Sequence, residues 1–588
     1  MPSETYDIII IGGGTSGLVL ANRLSEDPNL QVVVLESGED RSADPNTLTP
    51  GAWPLLSHSP GNWTFDTFSH KDMGKEIKIL QGRALGGSSA INSFLFTSTS
   101  KATVEGWKNL GNKGWDYDTY EKALKKSFTL HKPSGLTEGN GPLQVAQAAP
   151  KSLWEKAWID GLKSVGFPIT NPLSGCFGGP NIAPETIDPK TKQRSYASNA
   201  YLDPARSRPN LIIRAETTVT KVLLERHSLG GEIIAKGVEF TSKSESSQTI
   251  IARKEVILSA GVINSPRILE LSGIGGADLL QRLGIKVIVD NPHVGENLQN
   301  HLFTGLVFET RDNVDTFDAF FRQEPDAIAT AMQNYSTNGT GPLSTSNMIT
   351  MAQLPLPEFH TEDGRKELDQ LFADAYCSPH ITPALAAANK TFVHSILTNP
   401  SEAIGNYVLG PAYAPFDGPS PTYRAPGKHI SIAIELSHPL SRGSVHITSA
   451  APENTSTNNG LRIDPGYLSH PLDVEVLARQ VRFIEDVISR AEPLTRHLKS
   501  YTKRFTDLEK TKDYVHRTMD GAYHYTGTCS MMSRSLGGVV DNRLRVYGCS
   551  NLRVCDASII PLEPTANPQA VVYGVAELGA SFIKEDIK

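Results

Sequence analysis

The sequence predicts an α/β fold, α+β overall, in which a Rossmann-like domain is joined to a second domain built on an antiparallel sheet. Three observations predict it. A short apolar, β-branched run at residues 6–11 leads into a glycine cluster, a helix and a second strand. Residues 429–436 and 443–447 alternate apolar and polar side chains, as half-buried antiparallel strands do. At 588 residues, the chain is also too long for one small core.

The first forty residues have the strand–helix–strand order of a dinucleotide-binding unit. Gly12 permits a tight turn, Gly14 lets the backbone approach a pyrophosphate, and Gly17 allows the helix to pack closely on the strand. The free N–H groups at the helix N-terminus favour the anion. Glu36 ends the second strand and can accept hydrogen bonds from an adenosine ribose. The unit predicts a dinucleotide, FAD or NAD, bound by Gly12, Gly14, Thr15, Ser16, Gly17, Glu36 and Ser37.

A second glycine cluster, GRALGGSSAIN, occupies residues 82–92. Its tandem glycines and serines suit a backbone that runs tightly against a flat or charged ligand. Apolar residues flank the cluster on both sides, which is not typical of an ordinary surface turn. The cofactor contacts predicted in and just after this cluster are Arg83, Gly86, Gly87, Ser88, Asn92, Ser93 and Phe94.

The C-terminal part of the chain carries two further motifs. Residues 521–531, GAYHYTGTCSM, contain His524, and residues 565–570, TANPQA, contain Asn567 and open an apolar helix. Between them, Asp556 follows a strand-like run at residues 552–555. A histidine suits general-base chemistry because its unperturbed pKa of about 6.5 lies near working pH. An asparagine can hold an alkoxide oxygen by a hydrogen bond without competing for the proton.

Together with residues 265–275 and 294–301, these motifs resemble the glucose–methanol–choline (GMC) family of FAD oxidoreductases, in particular fungal aryl-alcohol oxidases and choline dehydrogenases. The resemblance covers essentially the whole chain. It implies that FAD is the cofactor, that His524 takes the hydroxyl proton of an alcohol, and that hydride passes to flavin N5. It makes Asn567 the partner of His524 at the substrate oxygen. His301, at the end of the 294–301 segment, is expected to have only a minor structural role.

The resemblance also implies further cofactor contacts. The backbone at Val219 would touch the adenine, and Asp556, with Ala557 beside it, would face the ribityl chain or the pyrophosphate. Pro568 and Gln569 open a helix whose N-terminus would point at the flavin pyrimidine ring. In relatives with covalent flavin, a histidine next to the loop asparagine carries the link. Ile91 occupies that position and has no nucleophile, so we predict non-covalent FAD.

The cofactor domain is expected to be discontinuous. Residues 1–50, 75–125, 195–300 and 540–588 should form the FAD-binding domain, and residues 126–194 and 301–539 the substrate-binding domain and the cover of the active site. Within the second part, residues 311–425 show no clear periodicity and are rich in Pro, Ala, Thr and Asn. We expect them to cover the site and set substrate choice, as variable loops do.

Three functions are compatible with these motifs. The leading one is FAD-dependent oxidation of an alcohol to an aldehyde or ketone, with oxygen or a quinone as electron acceptor. A second is a non-redox lyase or cyclase of secondary metabolism, because some relatives keep FAD for acid–base chemistry and the His524–Asn567 pair fits both. The third is an NAD-linked dehydrogenase or nucleotide-binding module, against which residues 82–92 and the C-terminal motifs argue.

Several partner classes are not expected. A net charge of −7 offers no electrostatic footprint for nucleic acid. No stretch reaches the roughly 18 apolar residues of a membrane span. The five cysteines match no zinc-binding spacing, so no metal site is predicted. The first apolar run leads directly into glycines rather than a signal-peptide pattern, which predicts a cytoplasmic protein, or a secreted one if a signal segment has been removed.

Overall fold

The computed structural model describes residues 4–57, 59, 61–68, 77–226, 231–242, 245–373, 378–416, 425–451 and 460–588. The α-helices are Thr15–Leu24, Pro45–Leu48, Trp53–Leu56, Lys101–Asn109, Tyr117–Lys125, Leu153–Ser164, Gly261–Leu271, Ala277–Arg282, Asp318–Phe321, Pro325–Asn338, Glu362–Ala373, Pro383–Leu397, Pro471–Asp486, Leu508–Thr518 and Gln569–Asp586. Short strands outside the two main sheets are Trp63–Asp66, Lys78–Gln81, Phe128–His131, Thr137–Glu138, Leu143–Ala146, Ile274–Gly275, Val289–Asp290, Ser444–Ile447 and Leu461–Asp464.

A seven-stranded sheet, called here the N-terminal sheet, contains the first strand of the chain. Its order is Thr217–Arg226, Ile233–Ser242, Glu245–Leu258, Glu4–Ile11, Val32–Leu35 and Leu211–Arg214, with Leu552–Val554 paired to Glu245–Leu258. The central pairs are parallel, and Ile8 lies opposite both Val32 and Glu255. The runs IIII and VVVL are buried throughout, as in parallel sheets that are covered on both faces. This confirms the predicted Rossmann-like domain.

The last helix, Gln569–Asp586, packs against the first, Thr15–Leu24. Glu577 of the last helix is 3% exposed and accepts hydrogen bonds from Arg23, at 2.7 Å, and from the hydroxyl of Tyr201, at 2.8 Å. A buried charge pair that keeps its hydrogen bonds is costly to break, so it fixes the relative position of its helices. The start of the last helix is thereby held near the N-terminal glycine turn.

The second sheet has six antiparallel strands, called here the six-stranded sheet. Its order is Asp520–Gly521, Leu302–Glu309, His429–Leu436, Gly405–Gly410, Thr350–Leu354 and Gly179–Ile182. In the central strand, the apolar positions from Ile430 to Leu436 join a core that includes helix Pro471–Asp486. Glu435 alternates with them and therefore points to the opposite face. The sheet confirms that a second domain is built on antiparallel strands.

One local expectation needs correction. Ser444–Ile447 does not extend the six-stranded sheet but pairs with Leu461–Asp464 in a separate two-stranded sheet. A short alternating run shows which face is buried, but it does not specify the partner strand. Within residues 311–425, which show no periodicity, the described positions contain helices and two strands of the six-stranded sheet. Helix Pro325–Asn338 buries only Ala331, so no apolar stripe marks it in the sequence.

Among the helices in the described ranges, none combines the length and apolar character that crossing a lipid bilayer requires.

Candidate active site

A long cavity runs from the N-terminal sheet to the segment that follows strand Asp520–Gly521. Many of the residues singled out from the sequence line it. They are Gly12, Gly14, Thr15, Ser16, Glu36, Ser37, Gly87, Ser88, Asn92, Ser93, Phe94, Val219, His524, Asp556, Ala557, Asn567, Pro568 and Gln569. Both glycine clusters and both C-terminal motifs therefore face one space.

Three residues predicted as cofactor contacts, Gly17, Arg83 and Gly86, are not among those that line the cavity. A Cβ at Gly17 would stand 1.9 Å from the carbonyl oxygen of Gly12, so Gly17 serves helix packing. The guanidinium of Arg83 stacks on Trp63, 4.6 Å from the ring centroid. Gly86 has φ +97° and donates its N–H to the carbonyl of Gly13 at 2.8 Å, which joins the two glycine clusters.

In the first glycine turn, Gly12 and Gly14 must each lack a side chain, for two different reasons. Gly12 has φ +101°, and a Cβ there would stand 2.4 Å from the carbonyl oxygen of Ser259. A side chain at Gly12 is therefore excluded by the protein itself. A Cβ at Gly14 would meet nothing closer than the Cα of Gly87 at 3.8 Å. Because Gly14 lines the cavity, its missing side chain leaves room for a ligand.

Two acids anchor the cofactor side of the cavity through the backbone. Glu36 accepts N–H hydrogen bonds from Gly13 and Gly38, at 2.7 and 2.8 Å. Asp556 accepts from the backbone of Gly261 and Ser558, and from a serine hydroxyl. Burial raises the pKa of Glu36, while its two backbone donors oppose that rise. Both acids hold loops in place as well as facing the cavity.

An unpredicted arginine holds the second glycine cluster. Arg194 is fully buried and donates to the side-chain oxygen of Asn92 at 2.7 Å, while its guanidinium carbon lies 3.6 Å from the ring centroid of Phe94. Asn92 in turn donates to Gln569 at 2.9 Å. Desolvation lowers the pKa of Arg194 to about 9, so it remains a cation at neutral pH. No motif marks a single buried arginine, so the sequence gives no sign of it.

Ile91 packs away from the cavity, in a small apolar cluster with Leu56, Ala90 and Tyr196. The side chain at the position of the covalent histidine in some relatives is thus part of the core.

The cavity has the features that a dinucleotide requires. Helices Thr15–Leu24 and Gln569–Asp586 both begin at it, at Gly14 and Pro568, and neither N-terminus is capped by a side chain. Their free N–H groups and helix dipoles favour negative charge. The buried hydroxyl of Ser16 has no hydrogen-bond partner among the described residues. The donors at the first helix fit a pyrophosphate, and those at the last helix fit a flavin ring.

The structure brings His524 and Asn567 together, with Nδ2 of Asn567 3.0 Å from Nε2 of His524. On the other side of the ring, Nδ1 of His524 lies 2.8 Å from Nδ1 of His301. The backbone N–H of His524 donates to Asn300, and Leu302 pairs with Gly521 across adjacent strands. Pairing of the 294–301 segment with the His524 motif therefore creates a histidine dyad, His301 and His524.

A main-chain carbonyl sets the proton positions in this dyad. Nε2 of His301 lies 2.7 Å from the carbonyl oxygen of Pro564, and a carbonyl can only accept, so this nitrogen carries a proton. In a neutral ring, Nδ1 of His301 is then bare and accepts from Nδ1–H of His524. Nε2 of His524 is bare in turn and accepts from Asn567. The atom that can take a proton is therefore Nε2 of His524.

Desolvation favours the neutral form of both rings, of which His301 is fully buried and His524 is half-buried. Desolvation lowers the pKa of His301 to about 4. Desolvation and repulsion from His301 hold the pKa of His524 well below its usual value. Both imidazoles are thus uncharged at neutral pH, and the lone pair of Nε2 is available.

A buried acid, Glu435, flanks the dyad. Its carboxylate accepts from Asn406 at 2.6 Å, Asn406 accepts from Gln353 at 2.8 Å, and Gln353 accepts from Asn181 at 2.7 Å. This chain of amides crosses four neighbouring strands and ends on the acid. Burial raises the pKa of Glu435 to about 7. The only sign of this acid in the sequence is a glutamate at a polar position of an alternating strand.

One oxygen of Glu435 and one nitrogen from each dyad ring lie within 4.8 Å of one another. Two imidazoles and a carboxylate are donors that a metal such as zinc accepts. The 2.8 Å separation between the two Nδ1 atoms, however, is that of a shared proton. We therefore assign the dyad to proton chemistry.

Comparison with known proteins identifies the family. The models described as GMC oxidoreductase match residues 6–303 and 439–576. A relative from Malassezia sympodialis, the "GMC oxidoreductase family protein Mala s 12", is 32% identical over 99% of this chain and 93% of its own length. The "Dehydrogenase mpl7" of Monascus purpureus is also 32% identical, over 99% of this chain and 96% of its own.

Solved structures agree in fold over the full length. An FAD-dependent oxidoreductase from Chaetomium thermophilum superposes with a TM-score of 0.87 at 26% identity, covering 99% of both chains. A formate oxidase from Aspergillus oryzae RIB40 gives 0.83 at 26% identity, covering 99% of this chain and 98% of its own. A fungal aryl-alcohol oxidase gives 0.83 at 25% identity, covering all of both chains. The protein described here belongs to the GMC oxidoreductase family of FAD-dependent enzymes.

Proposed function

We propose that this protein oxidises an alcohol to an aldehyde or ketone, with His524 as the base. The observation that carries the proposal is the bare Nε2 of His524, which faces the amide donor of Asn567 at one end of a cavity that fits a dinucleotide. A base and a neutral donor at one point are what removal of a hydroxyl proton requires. Structural neighbours that are named an aryl-alcohol oxidase and a formate oxidase support oxidase chemistry without selecting the substrate.

The cofactor and the protein contribute different parts of the reaction. Bound FAD supplies the acceptor for the hydride that leaves the carbinol carbon. Nε2 of His524 takes the hydroxyl proton, and Nδ2 of Asn567 donates to the oxygen as negative charge develops there. His301 holds the imidazole of His524 in the reactive tautomer. The uncapped N-terminus of helix Gln569–Asp586 favours negative charge in the same part of the cavity.

We also propose that the FAD is held without a covalent bond. The apolar packing of Ile91 supports this, because no nucleophile stands at the position of the covalent link in some relatives. Acid or heat denaturation followed by filtration should release all the flavin into the filtrate. Flavin that remains with the precipitated protein would contradict the proposal.

Oxygen or a quinone reoxidises the reduced flavin and completes the catalytic cycle. Parallel assays with oxygen and with a quinone would identify the acceptor.

The test of the function is anaerobic absorbance spectroscopy of the purified protein with a panel of aryl, allylic and aliphatic alcohols. We expect at least one alcohol to bleach the visible flavin band and to yield an equivalent of carbonyl product. Protein purified without flavin would contradict the cofactor assignment. Bound flavin that no alcohol bleaches would favour the alternative of a non-redox lyase or cyclase, for which the His524–Asn567 pair would serve acid–base chemistry.

A further inference from the structure

A second buried acid, Glu563, lies behind the histidine dyad. It is 2% exposed, and its Oε2 accepts from the hydroxyl of Thr526. Its Oε1 is buried and has no hydrogen-bond partner within the part of the chain that the structure describes. This unpaired oxygen lies 3.8 Å from Nε2 of His301, the outer nitrogen of the dyad.

Leaving Oε1 of Glu563 unpaired costs free energy, and its position beside His301 would let it accept a proton. Burying a carboxyl oxygen without a donor costs free energy, and native structures rarely leave such atoms unmatched. Nε2–H of His301 donates to the carbonyl oxygen of Pro564, the residue that follows Glu563. A small movement of the Glu563 side chain would let Oε1 accept the same proton. The acid is therefore placed at the outer end of the chain from Asn567 through His524 and His301.

The charged and titratable groups around Glu563 come from two parts of the chain, at residue 301 and at residues 435–442. His301 precedes strand Leu302–Glu309, and Glu435 lies on the other side of the dyad. Arg442, which is 2% exposed, faces Glu563 and lowers its pKa. His438 is buried beside Glu563, and desolvation keeps the His438 ring neutral by lowering its pKa to about 3. The largest effect on Glu563 is its own burial, which raises its pKa to about 8.

We propose that His524, His301 and Glu563 form a buried proton relay that stores the hydroxyl proton while the alcohol is oxidised. The proposal rests on the alcohol-oxidising function proposed above. The substrate O–H bond breaks and an N–H bond forms at Nε2 of His524. The Nδ1 proton of His524 moves to Nδ1 of His301, and the Nε2 proton of His301 moves to Oε1 of Glu563. Both rings end neutral in the opposite tautomer, and the C–H electron pair leaves as hydride to the flavin.

The relay avoids a buried cation. Without an acceptor, the proton would remain on a pair of imidazoles that burial keeps from charging, with a pKa of about 4 at His301. The carboxylate of Glu563 holds a proton more tightly than either ring, because its pKa is raised to about 8. An uncharged dyad before and after the transfer is the less costly arrangement in a low-dielectric site. The relay operates when Glu563 is ionised, so oxidation should accelerate as pH rises through about 8.

The first test follows proton release and flavin bleaching together during anaerobic reduction by alcohol, with a pH-indicator dye in weak buffer at about pH 9. In the wild type, Glu563 takes the proton first and then loses it to the solution, because its pKa of about 8 lies below the pH of the assay, so proton release should lag behind flavin bleaching. In Glu563→Gln, no buried carboxylate takes the proton, and its release should coincide with bleaching. Glu435→Gln is the matched control, since it removes the other acid beside the dyad and should keep the lag. Simultaneous release and bleaching in the wild type would overturn the relay, as would loss of the lag in Glu435→Gln.

A second test needs no substrate and separates this inference from the proposed function. In the FAD-loaded protein labelled with ¹⁵N-histidine, the Nε2 resonance of His301 should shift with a midpoint near pH 8 as Glu563 ionises. The shift should vanish in Glu563→Gln. Thr526→Val, which removes the hydroxyl donor to the carboxylate, should move the midpoint to higher pH and supplies a second variant if Glu563→Gln folds poorly. A wild-type resonance without this inflection would refute the relay even if alcohols reduce the flavin.

Discussion

The two ends of the cavity satisfy their polar groups in different ways. At the cofactor end, Glu36 and Asp556 accept hydrogen bonds mainly from backbone N–H groups. At the catalytic end, His524 bonds to other side chains, and buried oxygens of Asn567 and Glu563 have no hydrogen-bond partner among the described residues. The acids of the cofactor end are held by the main chain, whereas the catalytic end has an amide oxygen and a carboxyl oxygen without a donor in the part of the chain that the structure describes.

This difference indicates what each end does. At the cofactor end, backbone N–H groups hold the acids in fixed positions. Residue types there are therefore limited by the space that the ligand needs. Unmatched polar atoms cost stability and persist where they take part in chemistry. Substitutions at the cofactor end should therefore remove the cofactor, and those at the catalytic end should remove turnover while the cofactor stays bound.

The largest expected effect is at Gly14. In Gly14→Ala, the new Cβ meets no protein atom closer than 3.8 Å but enters the cavity, so the chain should fold and retain little FAD. The measurement is the flavin-to-protein absorbance ratio after gel filtration, with circular dichroism to verify folding. Gly410→Ala is the control, because its Cβ would meet only the Ser431 carbonyl oxygen at 4.0 Å, outside the cavity. A Gly14→Ala protein with full flavin content would show that the shape of the cofactor end does not control FAD binding.

In contrast to Gly14→Ala, substitutions at Asn567 should slow turnover while FAD stays bound. Removing its amide in Asn567→Ala should slow flavin reduction by about 10²- to 10³-fold, the usual effect of losing a donor to a developing oxyanion. Flavin content should stay near that of the wild type. Asn567→Asp should be slower still, because a carboxylate repels the developing negative charge. Rapid-mixing absorbance spectroscopy under anaerobic conditions measures the flavin content and the rate of flavin reduction of each variant. Equal losses of flavin content and of rate would contradict a catalytic role.

A smaller effect is expected outside both ends, at His446. This ring bonds Glu270 at 2.7 Å and Glu296 at 2.9 Å, and although desolvation opposes it, these acids raise the pKa of His446 to about 10. A raised pKa stabilises the fold fully below the unfolded value of about 6.5, and this contribution is lost as pH rises through about 10. His446→Gln should therefore lower stability at pH 7 by about 1.5–3 kcal/mol, the usual contribution of hydrogen bonds to charged groups, and have little effect above pH 10.

Thermal unfolding followed by circular dichroism at several pH values would test this expectation. The exposed His516, in helix Leu508–Thr518, supplies the control substitution His516→Gln. A destabilisation by His446→Gln that is the same at pH 7 and above pH 10 would contradict the charge-based explanation.

The sequence predicts the cofactor end well because backbone geometry there dictates residue type. Gly12 must be glycine for its φ and its contact with Ser259, and such requirements leave a readable motif. The same motif does not separate a residue that touches the ligand from one that packs behind it. Gly17 and Gly86 are predicted as contacts from this motif, and the structure shows that Gly17 also allows helix packing and that Gly86 joins the two glycine clusters.

The catalytic end is less predictable because strand register assembles it. Asn181, Gln353, Asn406 and Glu435 lie on four strands, and no spacing in the chain announces that their side chains form one hydrogen-bonded row. His301 could be found only as the last residue of a family-like segment. Its contact with His524 depends on the pairing of Leu302 with Gly521.

The role of His524 as the base in alcohol oxidation is tested most directly by the anaerobic rate of flavin reduction by a substrate alcohol in His524→Ala. We expect a rate lower by about 10²- to 10⁴-fold, the usual contribution of general-base catalysis, with FAD content unchanged. His516→Ala, which removes an exposed histidine, should react like the wild type. A His524→Ala protein that keeps its FAD and reduces it at the wild-type rate would show that His524 is not the base.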